Sequence, residues 1–339
     1  MRAAAVLPDL AGRHDVLVLA GGDAYTALAD AWPVVRIPTL RYHDRRPGKR
    51  SVYLTLKRNA PAVLDLALGG SGVAMVREML EAFRPDVLVS DSDGWTHRAA
   101  RAMGLPRISF DHFGVLVYCD WPMRWTQRVG NWAERLVYRS LVARPQRCIV
   151  ASFYEPPKCR DDVTVVGPVL RPMVRDLAPS RGEYLLVYFS HAARFWTPTV
   201  ERVLREAGVP VVVYGAPREG TDGAMTHRPL ANEPFVRSLA GCRAVLSTAG
   251  NQLISEAIHF EKPLLVIPED CLEQRLNARM VERLNLGRRT TLRRFSADVL
   301  SEFLARDEAF RGHAAQQKRN GVAEAVAAIE RYAEELAGD

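Results

Sequence analysis

The chain has 339 residues, 48% of them hydrophobic and 25% charged, with a net charge of +7. That is the composition of an ordinary globular chain with material for about two domains. It lacks any apolar run near 18 residues, so nothing in it spans a membrane as a helix. The start, MRAAAVLPDL, is too short and too interrupted for a secretory signal. The positive charge asks for an anionic partner, but Arg and Lys are scattered without a nucleic-acid motif, which argues against nucleic acid. The five cysteines, Cys119, Cys148, Cys159, Cys242 and Cys271, show no C-x-x-C spacing. A reduced, cytosolic setting is therefore expected.

Residues 1 to 11, with Ala4, Val6, Leu7 and Leu10, read as the end of a first helix. A doubly wound α/β half normally opens with a strand and a Gly-rich turn, so the opening strand is expected to be missing here. Short runs rich in Val, Leu and Ile follow at Asp15 to Ala20, Asp86 to Ser90, Arg107 to Phe110, Arg147 to Ala151 and Val163 to Val166. Asp91-Ser92-Asp93 has the D-x-D form that binds a divalent cation elsewhere, but it precedes a helix starting near Trp95. An N-cap role for Ser92 or Asp93 is the preferred reading. Asp111 and His112 stand where the Arg107 to Phe110 strand ends, a carboxylate beside an imidazole that titrates near working pH. They are the candidates for a general base; the alternative is that Asp111 caps the next turn and His112 packs beneath it.

From Trp121 to Arg147, Pro122 lies near a helix start. Trp125, Val129, Trp132, Leu136, Val137 and Leu141 fall along one face, with Arg124, Arg128, Arg135 and Arg139 elsewhere. This pattern suits an anionic membrane surface and equally a helix packed on its domain. The polar stretch Pro179-Ser180-Arg181-Gly182 reads as a connection between domains. A second series of strands then begins: Tyr184 to Phe189, Val209 to Tyr214, Ala244 to Ser247 and Pro263 to Ile267. The tail from Ala305 to Leu336 reads as helical.

The most informative stretch runs from Ser247 to Gly287. The end of an apolar strand turns through Ser247-Thr248-Ala249-Gly250 into a helical pattern with Leu253, Ile254, Ala257 and Ile258. A small-residue turn lets a phosphate approach the free N–H groups at a helix start. Asn251 and Gln252 open that helix, and Glu256 is a carboxylate placed to accept two hydroxyl hydrogen bonds from a ribose. The next strand ends in Pro268-Glu269-Asp270, and a second helix opens around Glu273-Gln274 with Asn277 one turn on. Ser190 and His191, after the Tyr184 to Phe189 strand, are further candidates for a phosphate.

Gly250, Ser255, Glu256, Ala257, Lys262, Pro263, Pro268, Glu273, Gln274, Asn277 and Ala278 resemble, in order and spacing, the donor-binding segment of GT-B glycosyltransferases. The resemblance extends to the lipid II-forming glucosaminyltransferase group and to the plant and antibiotic enzymes. Weaker matches at Pro85 to Asp91, Gly104 to His112 and Gly167 to Pro172 are similar to family-28-like bacterial and archaeal members. The resemblance implies an α/β fold of two Rossmann-like doubly wound domains facing a central cleft. Residues 1–172 would be the acceptor-side domain, 182–320 the nucleotide-sugar domain, and 321–339 a helix packing back toward the first. It implies transfer of a sugar from a nucleotide diphosphate donor, a UDP-sugar in type, to an acceptor hydroxyl by metal-independent, inverting displacement, with no cofactor beyond the donor. A lipid-linked acceptor and a peripheral place on the inner membrane face are compatible with the basic helix. In the resembled families the missing opening strand carries a Gly-rich loop with a His. A start upstream of Met1 is therefore expected to supply it, the alternative being loss of part of the acceptor site. Rival readings are a sugar-nucleotide 2-epimerase of the same fold and a catalytically silent nucleotide-sugar-binding protein.

Overall fold

The computed structural model describes residues 2–40, 44–46, 49–50, 57–121, 132, 135–140, 144–157 and 159–338. The chain divides into two compact units, Met1–His43 with Ser51–Arg171 and Gly321–Asp339, and Asp44–Arg50 with Pro172–Asn320. In chain order the strands begin with β1 (Val18–Ala20) and β2 (Val34–Arg36), then a short antiparallel pair, β3 (Asp44–Arg46) and β4 (Lys49–Arg50), and then β5 (Leu88–Ser90), β6 (Arg107–Asp111), β7 (Arg147–Ala151) and β8 (Val163–Val166). The second unit continues with β9 (Leu185–Tyr188), β10 (Val211–Tyr214), β11 (Gly220–Asp222), β12 (Met225–Arg228), β13 (Ala244–Ser247), β14 (Leu264–Val266) and β15 (Gly287–Arg289).

In the first unit the parallel strands form two separate sheets, β1-β2 and β5-β6-β7-β8. The first helix, Arg2–Ala11, covers both: Ala5 and Val6 join the core around Ile108 and Phe110, while Leu7 packs with Val18 and Ala20. Beside it the last helix, Val322–Ala337, lays Val322, Ala325, Val326, Ile329 and Tyr332 on Ile108, Ile149 and Val166. A further core gathers Val73, Val76 and Leu80 from Ser71–Phe83 and Trp95, Ala99 and Ala100 from Gly94–Ala102 around Leu88.

Asp93 is the N-cap of helix Gly94–Ala102, accepting from the Thr96 N–H at 2.7 Å, and Asp91 pairs with Arg2. The two carboxylates of the D-x-D are thus engaged by a helix start and a guanidinium.

The tail is helical as expected, in two helices, Asp307–Gln316 and Val322–Ala337. The break has a steric cause: at Gly321 a Cβ would stand 2.3 Å from the Gly167 carbonyl oxygen, and the Gly321 N–H donates to Pro168 O at 2.8 Å. Only glycine allows two backbones to come that close.

The second unit holds a seven-stranded sheet in the order β11-β12-β10-β9-β13-β14-β15, parallel apart from the β11 edge. Its inner strands are unbroken apolar runs, as a sheet covered on both faces requires. β15 reads Gly-Arg-Arg and gives no apolar signal; it is an edge strand set by close approach. A Cβ on Gly287 would fall 1.7 Å from the Leu264 carbonyl oxygen. The connecting stretch is tied down inside this unit by Lys262, which is fully buried and donates from Nζ to the Ser180 carbonyl. Burial pushes its ammonium down to about 8.

Among the described residues no helix is long and apolar enough to cross a membrane. The proposed surface helix falls mostly outside them, since residues 122–131, 133–134 and 141–143 are not described. Within the described part, Trp132, Leu136 and Val137 are exposed.

The cysteine reading is corrected. Cys119 and Cys159, 40 residues apart, form a disulfide where an isolated antiparallel bridge joins the end of helix Gly114–Tyr118 to the loop before β8. Neither partner lies in a motif, because the pairing is made by tertiary approach. It removes the cysteine argument for a reduced setting. Cys148, Cys242 and Cys271 are free and buried. Thiol titration of protein unfolded without reductant should find these three groups and, after reduction, all five; five before reduction would show that the bridge does not form.

Candidate functional site

β9 lies between β10, which follows it in the chain, and β13, which starts the return on its other side. The strand order therefore reverses between β9 and β13, and ligands of open α/β sheets bind at such a point, beyond the carboxyl ends of the strands. Three turns come together there. β9 runs into Ser190 and His191 ahead of helix Ala192–Phe195, β13 into Thr248–Gly250 ahead of helix Asn251–His259, and β14 into Pro268–Asp270 ahead of helix Leu272–Arg283.

The β13 turn is built to stay bare and firm. Gly250 is the helix N-cap with φ −71° and ψ 132°, a conformation open to any residue, and a Cβ there would meet nothing within 4 Å. Neither backbone strain nor packing calls for glycine; what it leaves is open space beside the free N–H groups of a nine-residue helix. Ala249 just before it is fully buried and held from the neighbouring helix. Gln274 Oε1 accepts the Ala249 N–H at 3.1 Å and the Glu269 N–H at 2.9 Å, while Asn277 Nδ2 donates to the Ala249 carbonyl at 3.1 Å. Glu273 Oε1 lies 3.4 Å from the same Asn277 amide. Gln274 and Asn277 are therefore spent on holding the β13 and β14 turns in place.

Around this turn the polar side chains pair off. Ser190 Oγ and Thr248 Oγ1 are 3.1 Å apart, joining the β9 and β13 turns. His191 Nδ1 is 2.8 Å from Glu269 Oε1, joining β9 to β14. Gln252 Nε2 donates to Glu256 Oε1 at 2.9 Å, and Glu256 is only 2% exposed. Asn251 is buried, its carbonyl accepts from Ser255 Oγ at 2.8 Å, and its Oδ1 has no partner among the described residues. Burial raises the Tyr188 phenol, opposed by its hydrogen bond with Ser190 and reinforced by the charge of Glu269.

All eleven donor-site residues expected from the sequence lie in this unit, on these three turns and the helices they open. Glu269 was not among them. Its signal was available in Pro268-Glu269-Asp270, a carboxylate one residue past a strand end, but its near-complete burial and its pairing with His191 appear only in three dimensions.

Asp111 and His112 lie in the other unit, at the end of β6. Asp111 is buried and both oxygens are engaged, Oδ2 by Ser109 Oγ at 2.6 Å and Oδ1 by the Gly114 N–H at 2.7 Å. Burial is the main cause that raises its pKa. It caps the turn into helix Gly114–Tyr118. His112 is also buried, with Nδ1 2.8 Å from the Ala151 carbonyl and its ring edge-on to Tyr154. A carbonyl can only accept, so Nδ1 carries a proton in this contact. His97, in helix Gly94–Ala102, was not expected; burial and the charges of Arg107 and Arg98 push it down to about 3.

The family model described as glycosyl transferase family 1 matches residues 1–307. No curated protein matches the chain in sequence. Among solved structures it is similar to the glycotransferase of kitacinnamycin, with TM-score 0.71 and 18% identity over 98% of this chain and 95% of that one. Phytolacca americana UGT2, solved with UDP-2fluoro-glucose and pterostilbene, gives 0.65 and 16% over 98% and 95%. The glycosyltransferase VinC, solved with dTDP, gives 0.64 and 17% over 99% and 98%. At these identities the likeness is one of fold, the α/β fold of GT-B glycosyltransferases.

The clamp on the β13 turn is open to a direct test. Gln274→Ala orphans two N–H groups, and a lost buried hydrogen bond of this kind costs about 1–3 kcal/mol. Amide exchange at Ala249 and Glu269 should then speed up by roughly 5- to 150-fold. Unchanged exchange at both would mean that the side chain does not hold the turn.

Proposed function

The chain belongs to glycosyl transferase family 1, and from that premise we propose that it moves a sugar from a nucleotide diphosphate donor to an acceptor hydroxyl. The observation that carries this reading is Gly250, whose open Cβ direction lies beside the start of helix Asn251–His259. A diphosphate seated there meets unpaired N–H groups and the positive end of the helix. Thr248, Ala249, Asn251, Ser190 and His191 surround that seat, with Gln252 and Glu256 farther along for the ribose and Glu273 for the sugar. Gln274 and Asn277 contribute by holding the turn. As the bond from the anomeric carbon to the diphosphate breaks, negative charge grows on the leaving oxygens, and donors fixed in advance stabilise it without reorganisation. The helix start takes the part of a metal ion in this scheme, and nothing beyond the donor is required.

UDP and dTDP are both natural probes, since UGT2 was solved with a UDP-linked sugar, UDP-2fluoro-glucose, and VinC with dTDP. Attack by the acceptor oxygen on the face opposite the diphosphate inverts the anomeric carbon. Of the two base candidates we assign the role to His112, since both oxygens of Asp111 are committed to its turn. The acceptor is an alcohol, with a lipid-linked one favoured by the basic, Trp-containing stretch Trp121 to Arg147.

Calorimetry with UDP and dTDP separates these roles. Glu256→Ala should weaken donor binding by about 10- to 150-fold, the equivalent of about 1.5–3 kcal/mol for a hydrogen bond to a charged group. Gly250→Val should leave the melting temperature unchanged and abolish binding by filling the seat. His112→Gln should keep donor affinity and lower kcat by about 10²–10⁴. Wild-type affinity in a folded Gly250→Val protein would remove the phosphate from this turn.

The membrane arm is tested by sedimentation with anionic vesicles. A variant carrying Trp125→Ala, Trp132→Ala, Arg128→Glu and Arg135→Glu should lose partition that the wild type shows. Equal partition of the two proteins would leave this stretch a packed helix and the acceptor a soluble alcohol.

A further inference from the structure

His191 sits at the N-terminal cap of helix Ala192–Phe195, beyond β9, and Glu269 lies in the loop beyond β14. The strand between them, β13, is the one whose turn ends in Gly250. The two side chains meet across the mouth of that turn, with Nδ1 to Oε1 at 2.8 Å. Their exposures are opposite: the Glu269 side chain is 1% exposed and the His191 side chain 45%. Glu269 is anchored at its own backbone, where its N–H donates to Gln274. A buried carboxylate on a fixed backbone therefore holds one nitrogen of an imidazole whose side chain is partly exposed.

A carboxylate is an acceptor only, so Nδ1 must bear the proton in this contact, and the ring cannot flip without breaking it. Such second contacts are what fix the tautomer and direction of a working histidine. Ser190, the residue before His191, joins the same turn to the β13 turn through Thr248. With an anion at Nε2 as well, the ring is flanked by negative charge on both sides, which favours the doubly protonated form and makes Nε2–H a donor.

Building on the donor reading above, we infer that Glu269 is a positioning residue for the reaction: it holds His191 by Nδ1 so that Nε2 meets the diphosphate of the donor. Glu269 does not touch the substrate. Its effect passes wholly through His191, so the two residues act as one unit on the diphosphate and leave the nucleoside alone.

That coupling sets the experiment. UDP and uridine are titrated against wild type, His191→Ala, Glu269→Ala, the double variant and Glu269→Gln, with the fold of each checked by thermal unfolding. Both single variants should bind UDP about tenfold more weakly, and the double variant no more weakly than His191→Ala, because residues in one chain of contact are not additive. Uridine affinity should not move. Glu269→Gln keeps an oxygen for the Nδ1 proton and should recover at least half of the loss on a logarithmic scale. Losses that multiply in the double variant, equal losses for uridine, or a Glu269→Gln protein as weak as Glu269→Ala would each overturn the assignment.

A ligand-free measurement stands beside it. Imidazole ¹⁵N spectra, with His191 picked out among the eight histidines by the His191→Gln variant, should show the Nδ1–H form in wild type and its loss in Glu269→Ala. If the wild type binds neither UDP nor dTDP, the donor reading falls. The tautomer result then decides the His191–Glu269 arrangement by itself, a ring indifferent to Glu269 overturning it.

Discussion

One side-chain oxygen organises the working end of the second unit. Neighbouring parallel strands satisfy their backbones along the ladder, but past the last rung their N–H groups have no partner. At β13 and β14 these orphans are the amides of Ala249 and Glu269, and Gln274 Oε1 accepts both. Asn277, one helical turn later, donates to the carbonyl of the same Ala249. Helix Leu272–Arg283 therefore grips the β13 turn on both faces of one residue. That grip is why Gly250 can remain uncovered: the turn draws its rigidity from behind, and its front stays clear.

The same geometry explains how two carboxylates live beside a site suited to an anion. Glu256 and Glu269 are nearly inaccessible, and burying a charge without partners is costly. Each is met by a neighbour, Glu256 by the Gln252 amide of its own helix and Glu269 by the His191 ring from the β9 turn. Glu256 lies along the helix that the β13 turn opens, and Glu269 in the loop after the neighbouring strand β14. In the donor reading proposed above, hydroxyl-bearing groups of the ligand would lie toward Glu256 and negatively charged groups toward the bare N–H groups and His191.

Much of this was legible in the sequence because it rests on local chemistry. Strand, small-residue turn and helix follow from Ala244 to Ile258 alone, and β7, β8 and β13 have the bounds that their apolar runs suggest. What escaped were features made by distant segments. β2, β12 and β15 are short or polar and become strands by pairing with stronger neighbours. Cys119 and Cys159 carry no spacing signal. Gln274 and Asn277 were expected in the donor site, but sequence could not tell a ligand contact from a clamp, since both need the same amide. Asp111 shows the converse: a carboxylate at a strand end reads as a base until its two oxygens are found occupied.

The last helix has a consequence for how the protein is made. Val322, Ala325, Val326, Ile329 and Tyr332 are part of the core that holds Ala5, Val6, Ile108 and Ile149. The unit that leaves the ribosome first thus lacks one wall until the final residues are translated, while Pro172–Asn320, translated earlier than that wall, already contains every strand of the seven-stranded sheet. Domains usually mature in the order of synthesis. Here the order is inverted: the middle of the chain can finish first, and the beginning waits for the end.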